Sequence, residues 1–246
     1  MKETSVLFIG NSYTFFNEMP TAIFAHLAES EGRSLRVESI TKGGFTLSKH
    51  SNPENEIGAR VAAALDGAKQ GKYDYVILQE QSVRPALDDA RALFYDAVRD
   101  LAKRARAIGA TPILYATWGR KAGGEKLDEC GFTNESMTWR LAAAYNAIGK
   151  ELDIAVAPVG AAFYDVYTNH GQEVELYNKD LSHPSYVGSF LAALTLYAKI
   201  FGTDPSTIPY RGDLTEAEFA ILQAAAKRAV YNTPEIPADY QTSSQI

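Results

Sequence analysis

Short apolar runs alternate along the chain with longer stretches in which apolar residues recur at helical spacing. A short apolar run bounded by turn residues is typical of a buried strand, whereas recurrence every three or four residues is typical of an amphipathic helix. The pattern predicts strands at residues 5–9, 35–40, 73–78, 111–116 and 154–158. It predicts helices at residues 20–31, 54–69, 88–108, 134–152, 184–201 and 215–230, with a further short helical stretch after the last strand.

The alternation of strands and helices decides the fold class. Parallel strands joined by helices require right-handed crossovers, and the helices then cover both faces of one sheet. We therefore predict an α/β protein with one doubly wound parallel sheet. No second domain is visible, so residues 1–232 are expected to form a single domain, followed by a polar tail at 233–246. The Gly-rich, charged segment 119–133 is long for a loop, which suggests a cap over a site.

Composition and charge narrow the functional classes. The 246 residues include 24 Lys and Arg against 30 Asp and Glu, a net charge of −6, so we expect no nucleic-acid partner. The single cysteine, Cys130, excludes an internal disulfide and a zinc ribbon. No apolar run approaches the ~20 residues of a membrane helix, and no signal peptide precedes the first strand. We expect a cytoplasmic protein without a membrane partner unless a leader has been removed, and the oligomeric state stays open.

Candidate catalytic residues follow the first strand and precede a late helix. Ser12 comes directly after the first strand and a glycine, where the backbone N–H groups of a following helix favour negative charge. His183 stands before Pro184, at the entry to a predicted helix, and Asp180 lies three residues earlier. At this spacing the Asp180 carboxylate can accept a hydrogen bond from one imidazole nitrogen and so orient the ring. The other nitrogen can then accept the proton of the serine hydroxyl. Each feature alone is more often a helix cap, but together they predict a triad of Ser12, His183 and Asp180.

The ends of the second and third strands supply candidate donors to an oxyanion. Gly44 lets a backbone N–H approach a ligand, and Gln79 or Gln81 extends a side-chain amide toward the same point. With the Ser12 N–H, these groups form the predicted oxyanion hole. The two glutamines share strand parity, so spacing does not choose between them.

Aromatic residues near the same strand ends are candidates for contacts with substrate. Tyr13, Trp118 and Tyr177 can stack on a sugar face, and core packing is the equally weighted alternative. The histidines are scattered and no His-Glu-x-x-His occurs, so no metal site is predicted. His50, shortly after the glycine loop, is expected on the loop surface.

Taken together, these residues resemble the conserved blocks of the SGNH (GDSL-type) hydrolases. Three blocks occur in the family's order across nearly the whole chain: Gly10-Asn11-Ser12, Gly44 and Asp180-Leu-Ser-His183. Many members carry Asp where this chain has Asn11. The resemblance therefore assigns the nucleophile, the second-block glycine and the Asp-x-x-His pair to residues of this sequence.

The third block departs from the family pattern. It is usually Gly-x-Asn-Asp, in which the Asn donates to the oxyanion, whereas this chain has Gln79-Glu80-Gln81-Ser82. Some carbohydrate acetylesterase branches are similar in having Gln in that role. Alignment on the strand end favours Gln79 and alignment on the Gly-x-Asn pattern favours Gln81. We predict Gln79 as the donor.

The resemblance implies a flavodoxin-like three-layer α/β/α sandwich with five parallel strands in the order 2-1-3-4-5 and no metal or organic cofactor. It also implies ester hydrolysis. We therefore predict a serine esterase that removes small acyl groups, acetyl in particular, from a carbohydrate or a similar polar substrate, with a small-molecule or oligosaccharide ester as its ligand. Two alternatives stay open: a non-catalytic flavodoxin-like domain that binds phosphate or nucleotide, and a lipase-like thioesterase of the same family. The sequence contains neither a dinucleotide fingerprint nor a P-loop, and no stretch indicates an apolar acyl channel.

Overall fold

One parallel sheet organises the molecule. The computed structural model describes residues 3–67 and 70–241. Within them, five strands pair in the order β2-β1-β3-β4-β5, all parallel. The strands are β1 Thr4–Gly10, β2 Leu35–Thr41, β3 Tyr75–Leu78, β4 Thr111–Tyr115 and β5 Ala155–Ala157. The predicted fold class and strand order are confirmed.

Helices connect the strands and cover the sheet. The α-helices are α1 Ser12–Phe15, α2 Ala25–Ser30, α3 Leu47–Ser51, α4 Glu56–Leu65, α5 Asp88–Ala107, α6 Glu125–Glu129, α7 Asn134–Leu152, α8 Val159–His170, α9 Tyr186–Phe201 and α10 Glu216–Tyr231. Shorter 3₁₀ segments lie at Phe16–Glu18, Arg84–Ala86, Pro205–Thr207 and Ala238–Tyr240, and a π-helical segment lies at Met19–Phe24. None of the described helices is long and apolar enough to cross a membrane.

Strand β1, which lies between β2 and β3, is buried on both faces. Val6 and Phe8 pack into a core shared with α8, α9 and α10, whereas Leu7 and Ile9 pack into a second core shared with α4, α5 and α7. Because successive side chains of a strand point to opposite faces, a continuous apolar run serves both cores. The sheet is therefore the middle of three layers. Because its strands are parallel, their carboxyl ends lie along the same edge of the sheet.

Some predicted boundaries differ from the structure. The helix predicted at 20–31 is divided into the π-helical segment and α2. The helix predicted at 54–69 is the shorter α4, and residues 68 and 69 lie outside the described residues. Segment 119–133 contains α6, which the sequence did not predict. Of the predicted tail, residues 242–246 also lie outside the described residues.

Candidate active site

The turn after β1 presents Ser12 at the start of α1. Gly10 ends the strand, and a Cβ at this position would lie 2.5 Å from the Thr14 hydroxyl, so a larger residue would force a shift. Asn11 caps the helix, since its Oδ1 accepts from the Tyr13 N–H at 3.1 Å. The backbone N–H groups at the start of a helix have no intrahelical partner. The Ser12 hydroxyl and backbone N–H are therefore held together at the rim of a cleft that Ser12 lines.

Asn11 also joins this turn to the loop after β2. Its Nδ2 donates to the Phe45 carbonyl at 3.0 Å. An ionised carboxylate has no N–H to donate. Asparagine thus makes a contact that the aspartate common at this block of the family cannot make, which gives the departure from the pattern a physical reason.

The loop at residues 177–184 brings His183 to Ser12. The Asp180 carboxylate accepts from the backbone N–H groups of Ser182 and His183, at 3.1 and 2.9 Å. Its other oxygen contacts His183 Nδ1, and His183 Nε2 lies 2.8 Å from Ser12 Oγ. The structure therefore brings together the three residues predicted as a triad, in one continuous chain of hydrogen bonds.

The hydrogen bonds around Asp180 favour the ionised form of its carboxyl group. Partial burial raises the pKa of the Asp180 carboxyl, but the hydrogen bonds from His183 and from the Ser182 N–H outweigh it, and the pKa lies below its ordinary value. A carboxylate ionised at neutral pH holds the imidazole in one orientation and stabilises its protonated form.

Two aromatic rings fix the plane of the imidazole. Phe16 stacks on the His183 ring with centroids 4.4 Å apart, and Tyr13 packs edge-on at 5.6 Å. Sequence reasoning missed Phe16. Spacing carried no signal for it, because Phe16 follows the end of α1 with a non-helical backbone (φ −54°, ψ 141°) and its stacking on His183 is a tertiary contact.

Trp118 lies beneath the cleft. The side chain is fully buried, with its ring stacked between Tyr13 at 4.5 Å and Phe163 at 4.0 Å. Its Nε1 donates to the Ser182 carbonyl at 3.1 Å. The ring has no free face for a sugar, so the expectation that Trp118 binds substrate is corrected: it supports the loop that carries His183.

Tyr177 is likewise a supporting residue. It is 4% exposed, and its hydroxyl donates to the Gly119 carbonyl at 2.8 Å. It does not line the cleft, so the expected contact with substrate is corrected here too. Tyr13 does line the cleft, although it is also 4% exposed and its hydroxyl lies 2.7 Å from Ser182 Oγ.

The two glutamines after β3 lie in different places. Gln79 is fully buried, and its Oε1 accepts from the Asn11 N–H at 2.9 Å and from the Thr14 hydroxyl at 2.8 Å. Its Nε2 donates to the Glu80 carbonyl. Gln81 lines the cleft, and its Oε1 accepts from a backbone N–H at 3.2 Å, which orients its amide. The choice of Gln79 as an oxyanion donor therefore does not fit its burial, whereas Gln81 has an amide in the cleft.

The cleft has a volume of about 380 Å³. Gly44 lines it with a left-handed backbone (φ +67°), a conformation that glycine adopts without strain. On the opposite side, residues 124–127 of the predicted cap form a side of the cleft, with Leu127 buried and Lys126 exposed. No group of three or more potential metal ligands occurs among the described residues.

Two buried titratable groups, Glu80 and His50, lie beneath the loop that carries Gly44, on the side of the cleft formed by residues 42–51 and 79–82 (the Gly44 side). Glu80 is 1% exposed, and burial raises its pKa to about 7, although backbone N–H groups of Gln81 and Leu47 donate to its carboxylate. His50 is fully buried, and burial lowers its pKa to about 4. Its Nε2 donates to the Gly10 carbonyl at 2.9 Å. The expectation that His50 lies on the loop surface is wrong, because α3 folds this histidine under the loop.

Comparison with known proteins supplies a family. No protein-family model matches the chain, and no curated protein matches it either. Among solved structures, a protein from Slackia heliotrinireducens assigned to the SGNH hydrolases is 34% identical, with 81% of this chain and 100% of that chain covered and a TM-score of 0.68.

Two more distant structures share the fold. A DUF4886 family protein from Bacteroides uniformis is 18% identical, over 97% of this chain and 99% of that chain, with a TM-score of 0.77. A catalytic mutant of an acetylxylan esterase from Geobacillus stearothermophilus is 16% identical, over 80% of this chain and 94% of that chain, with a TM-score of 0.56. At the 34% identity of the first relative, whose whole length is covered, the chain belongs to the SGNH hydrolase family and is a hydrolase.

Proposed function

We propose that the protein removes small acyl groups, acetyl above all, from a carbohydrate or a similar polar ester. Ser12 is the nucleophile, His183 the general base and acid, and Asp180 the residue that orients the imidazole. The observation that carries the proposal is the hydrogen-bond chain in which Ser12 Oγ lies 2.8 Å from His183 Nε2 and His183 Nδ1 contacts Asp180. A nucleophile and base within hydrogen-bond reach, with the base oriented by a third group, is the requirement for acyl transfer.

The proposed reaction has two halves. His183 Nε2 accepts the Ser12 proton as Oγ attacks the ester carbonyl, and the tetrahedral intermediate collapses when His183 returns the proton to the departing alcohol. The acyl group is then bonded to Ser12. Water repeats the sequence: it gives a proton to His183, attacks the acyl-enzyme, and releases the acid as Ser12 regains its proton.

Three donors are proposed to stabilise the oxyanion. Ser12, Gly44 and Gln81 line the cleft, and the proposed donors are the backbone N–H groups of the first two and the side-chain amide of the third. Gln81 takes the place first given to Gln79, since Gln79 is fully buried beneath the turn, whereas Gln81 lines the cleft. Loss of one such donor typically lowers turnover about 10²–10³-fold.

The size of the cleft and its polar residues support a small polar ester as the substrate. Its volume of about 380 Å³ is at the lower end for ligand sites. Most of the residues that line it are serine, glutamine, asparagine or charged residues. One structural neighbour of the same fold is an acetylxylan esterase. A long acyl chain would need an extended apolar channel, so we favour a short acyl group over the thioesterase alternative.

The proposal is tested by comparing wild type with Ser12→Ala on 4-nitrophenyl acetate and on an acetylated xylo-oligosaccharide. We expect the substitution to lower kcat by at least ~10³-fold, because no other group replaces the nucleophile. Ser30→Ala is the matched control, since Ser30 lies in α2 and its hydroxyl donates to the Leu27 carbonyl. Equal rates for wild type and Ser12→Ala would contradict the proposed nucleophile.

A further inference from the structure

One buried cation lies in the cleft without a carboxylate partner. Arg120 is 9% exposed and lines the same cleft as Ser12 and His183. Its Nη1 donates to the Lys126 carbonyl at 3.4 Å, and its Nη2 donates to Ser82 Oγ at 3.0 Å. Its Nε is buried and has no hydrogen-bond partner. Arg120 also hydrogen-bonds to the Tyr13 hydroxyl, so the N–H without a partner among the described residues is that of Nε, and no carboxylate balances the charge.

Other arginines with little exposure are paired. The Arg91 side chain, 18% exposed, lies 2.6 Å from Asp88, and the Arg104 side chain, 14% exposed, lies 2.8 Å from Asp66. Among the described residues, no ion pair includes Arg120. Burial of an unpaired charge costs several kcal/mol. An anion that enters the cleft would supply the missing partner.

Polar groups surround the guanidinium. The Tyr13 hydroxyl lies 2.7 Å from Ser182 Oγ. Burial raises the pKa of this tyrosine, and the hydrogen bond with Ser182 and the charge and hydrogen bond of Arg120 partly offset the effect. Hydroxyl groups can donate to an anion as readily as they accept. The two carboxylates that line the cleft do not neutralise the arginine: Asp180 contacts His183, and Glu125 is exposed.

We propose that the cleft is selective for esters that carry a carboxylate close to the scissile bond, and that Arg120 binds this carboxylate. The inference rests on the proposed function of the same cleft. One buried guanidinium matches the single charge of a carboxylate, and its planar N–H groups fit the two oxygens. The carboxylate belongs either to the acyl part, as in a half-ester of a diacid, or to the alcohol part, as in an acetylated sugar acid.

A purely structural role does not require this side chain. The contacts to Ser82 and to the Lys126 carbonyl are ordinary hydrogen bonds, which a neutral amide can make without the desolvation of a charge. A role in binding an anion requires both the charge and the planar fork. The two roles therefore predict different results for substrates that differ in charge alone.

The test compares charged and neutral esters in two pairs. For the alcohol part these are 3-acetoxybenzoate and 3-acetoxybenzamide; for the acyl part they are mono-4-nitrophenyl succinate and 4-nitrophenyl butyrate, with spontaneous hydrolysis subtracted. In at least one pair, we expect wild type to favour the charged ester in kcat/KM by about tenfold or more. Arg120→Gln should lower kcat/KM for that charged ester about 10–100-fold and for its neutral partner less than threefold, in line with a hydrogen bond to a charged group. Arg120→Lys should restore part of the loss.

Controls separate the possible failures. Arg140→Gln removes the same charge from a half-buried arginine of α7 that does not line the cleft. This substitution should leave kcat/KM unchanged for both the charged and the neutral ester. An equal loss on charged and neutral esters after Arg120→Gln, or no preference for charge in either pair, would overturn the inference. If neutral esters are hydrolysed without dependence on Ser12, the proposed function fails instead.

A binding measurement does not depend on turnover or on the folding of an Arg120 variant. The Ser12→Ala protein keeps Arg120 and is titrated calorimetrically with 3-hydroxybenzoate, 3-hydroxybenzamide, succinate and succinamide. We expect one carboxylate to bind at least tenfold more tightly than its amide, with affinity that falls as salt is raised. Equal affinity within both pairs would contradict a carboxylate site.

Discussion

The cleft has two sides that are held in different ways. The Gly44 side, residues 42–51 and 79–82, is supported by Glu80 and His50, both buried and both titratable. The His183 side, residues 118–127 and 177–184, rests on stacked aromatic rings and on backbone hydrogen bonds of its loop. Its titratable pair is partly exposed: the side chain of Asp180 is 48% exposed and that of His183 is 28% exposed.

The difference separates the effect of pH on stability from its effect on chemistry. The raised pKa of Glu80 and the lowered pKa of His50 belong to groups that cannot meet substrate, since both are buried beneath the loop. The exposed pair on the His183 side moves protons in the proposed reaction. We therefore expect changes on the Gly44 side to alter stability and transition-state binding, and changes on the His183 side to alter proton transfer.

The largest effect is expected on the His183 side. His183→Ala should lower kcat by about 10⁴-fold or more, because the general base is lost, while the free energy of unfolding changes little. The measurement is the steady-state rate with 4-nitrophenyl acetate, together with chemical denaturation. His170→Ala is the matched control, since His170 pairs with Glu173 at the end of α8. A His183→Ala protein that retains a tenth of the rate would exclude this histidine as the base.

The next effect distinguishes two glutamines on the Gly44 side. Gln81→Ala should lower kcat about 10²–10³-fold with little change in stability, because its amide lines the cleft. Gln79→Ala should instead lower the free energy of unfolding by about 1–3 kcal/mol, because it leaves the buried Asn11 N–H and Thr14 hydroxyl without their acceptor. Rates and denaturation curves of both variants decide the assignment. Loss of turnover in a fully stable Gln79→Ala protein would return the donor role to Gln79.

The smallest effect concerns pH and stability. Burial raises the pKa of Glu80 from 4.5 to about 7, so the native state holds its proton more tightly than the unfolded chain does. This contribution is complete below pH 4.5 and is lost as pH rises through 7, so wild type should lose roughly 2–3 kcal/mol between pH 5 and 8 relative to Glu80→Gln. Chemical denaturation at both pH values measures the difference.

The opposite side supplies the control for that experiment. The pKa of Asp180 lies below its ordinary value of 3.8, so its contribution to stability changes only in more acidic solution. Asp180→Asn should therefore keep the wild-type change in stability between pH 5 and 8, although it lowers turnover. If Glu80→Gln shows the same pH dependence as wild type, Glu80 does not titrate in this range.

Much of the fold follows from local patterns. The apolar runs of the strands predict a parallel sheet buried on both faces, and α7 has the predicted bounds because Thr133 and Ser136 form a capping box at its start. The short helix α3 was missed. Its five residues are too few for a periodic signal, and it is held by tertiary contacts of His50 and Glu80.

The site was only partly predictable for the same reason. Ser12, Asp180 and His183 each stand at a chain position with a local meaning, a strand end or a helix entry. The burial of Trp118, Gln79 and Arg120 depends on which rings and loops pack over them, and sequence spacing does not carry that information. Strand parity gave both glutamines the same orientation, but β3 ends at Leu78, so both lie beyond the strand and parity does not apply to them.

The central claim is that the hydroxyl of Ser12 is the nucleophile. Mass spectrometry after reaction with a fluorophosphonate tests it directly, because the reagent bonds to an activated serine. We expect one adduct per chain, on the peptide that contains Ser12, with none on Ser12→Ala and a much slower reaction of His183→Ala. An adduct on Ser82 or Ser182, which line the same cleft, or undiminished labelling of Ser12→Ala would contradict the account.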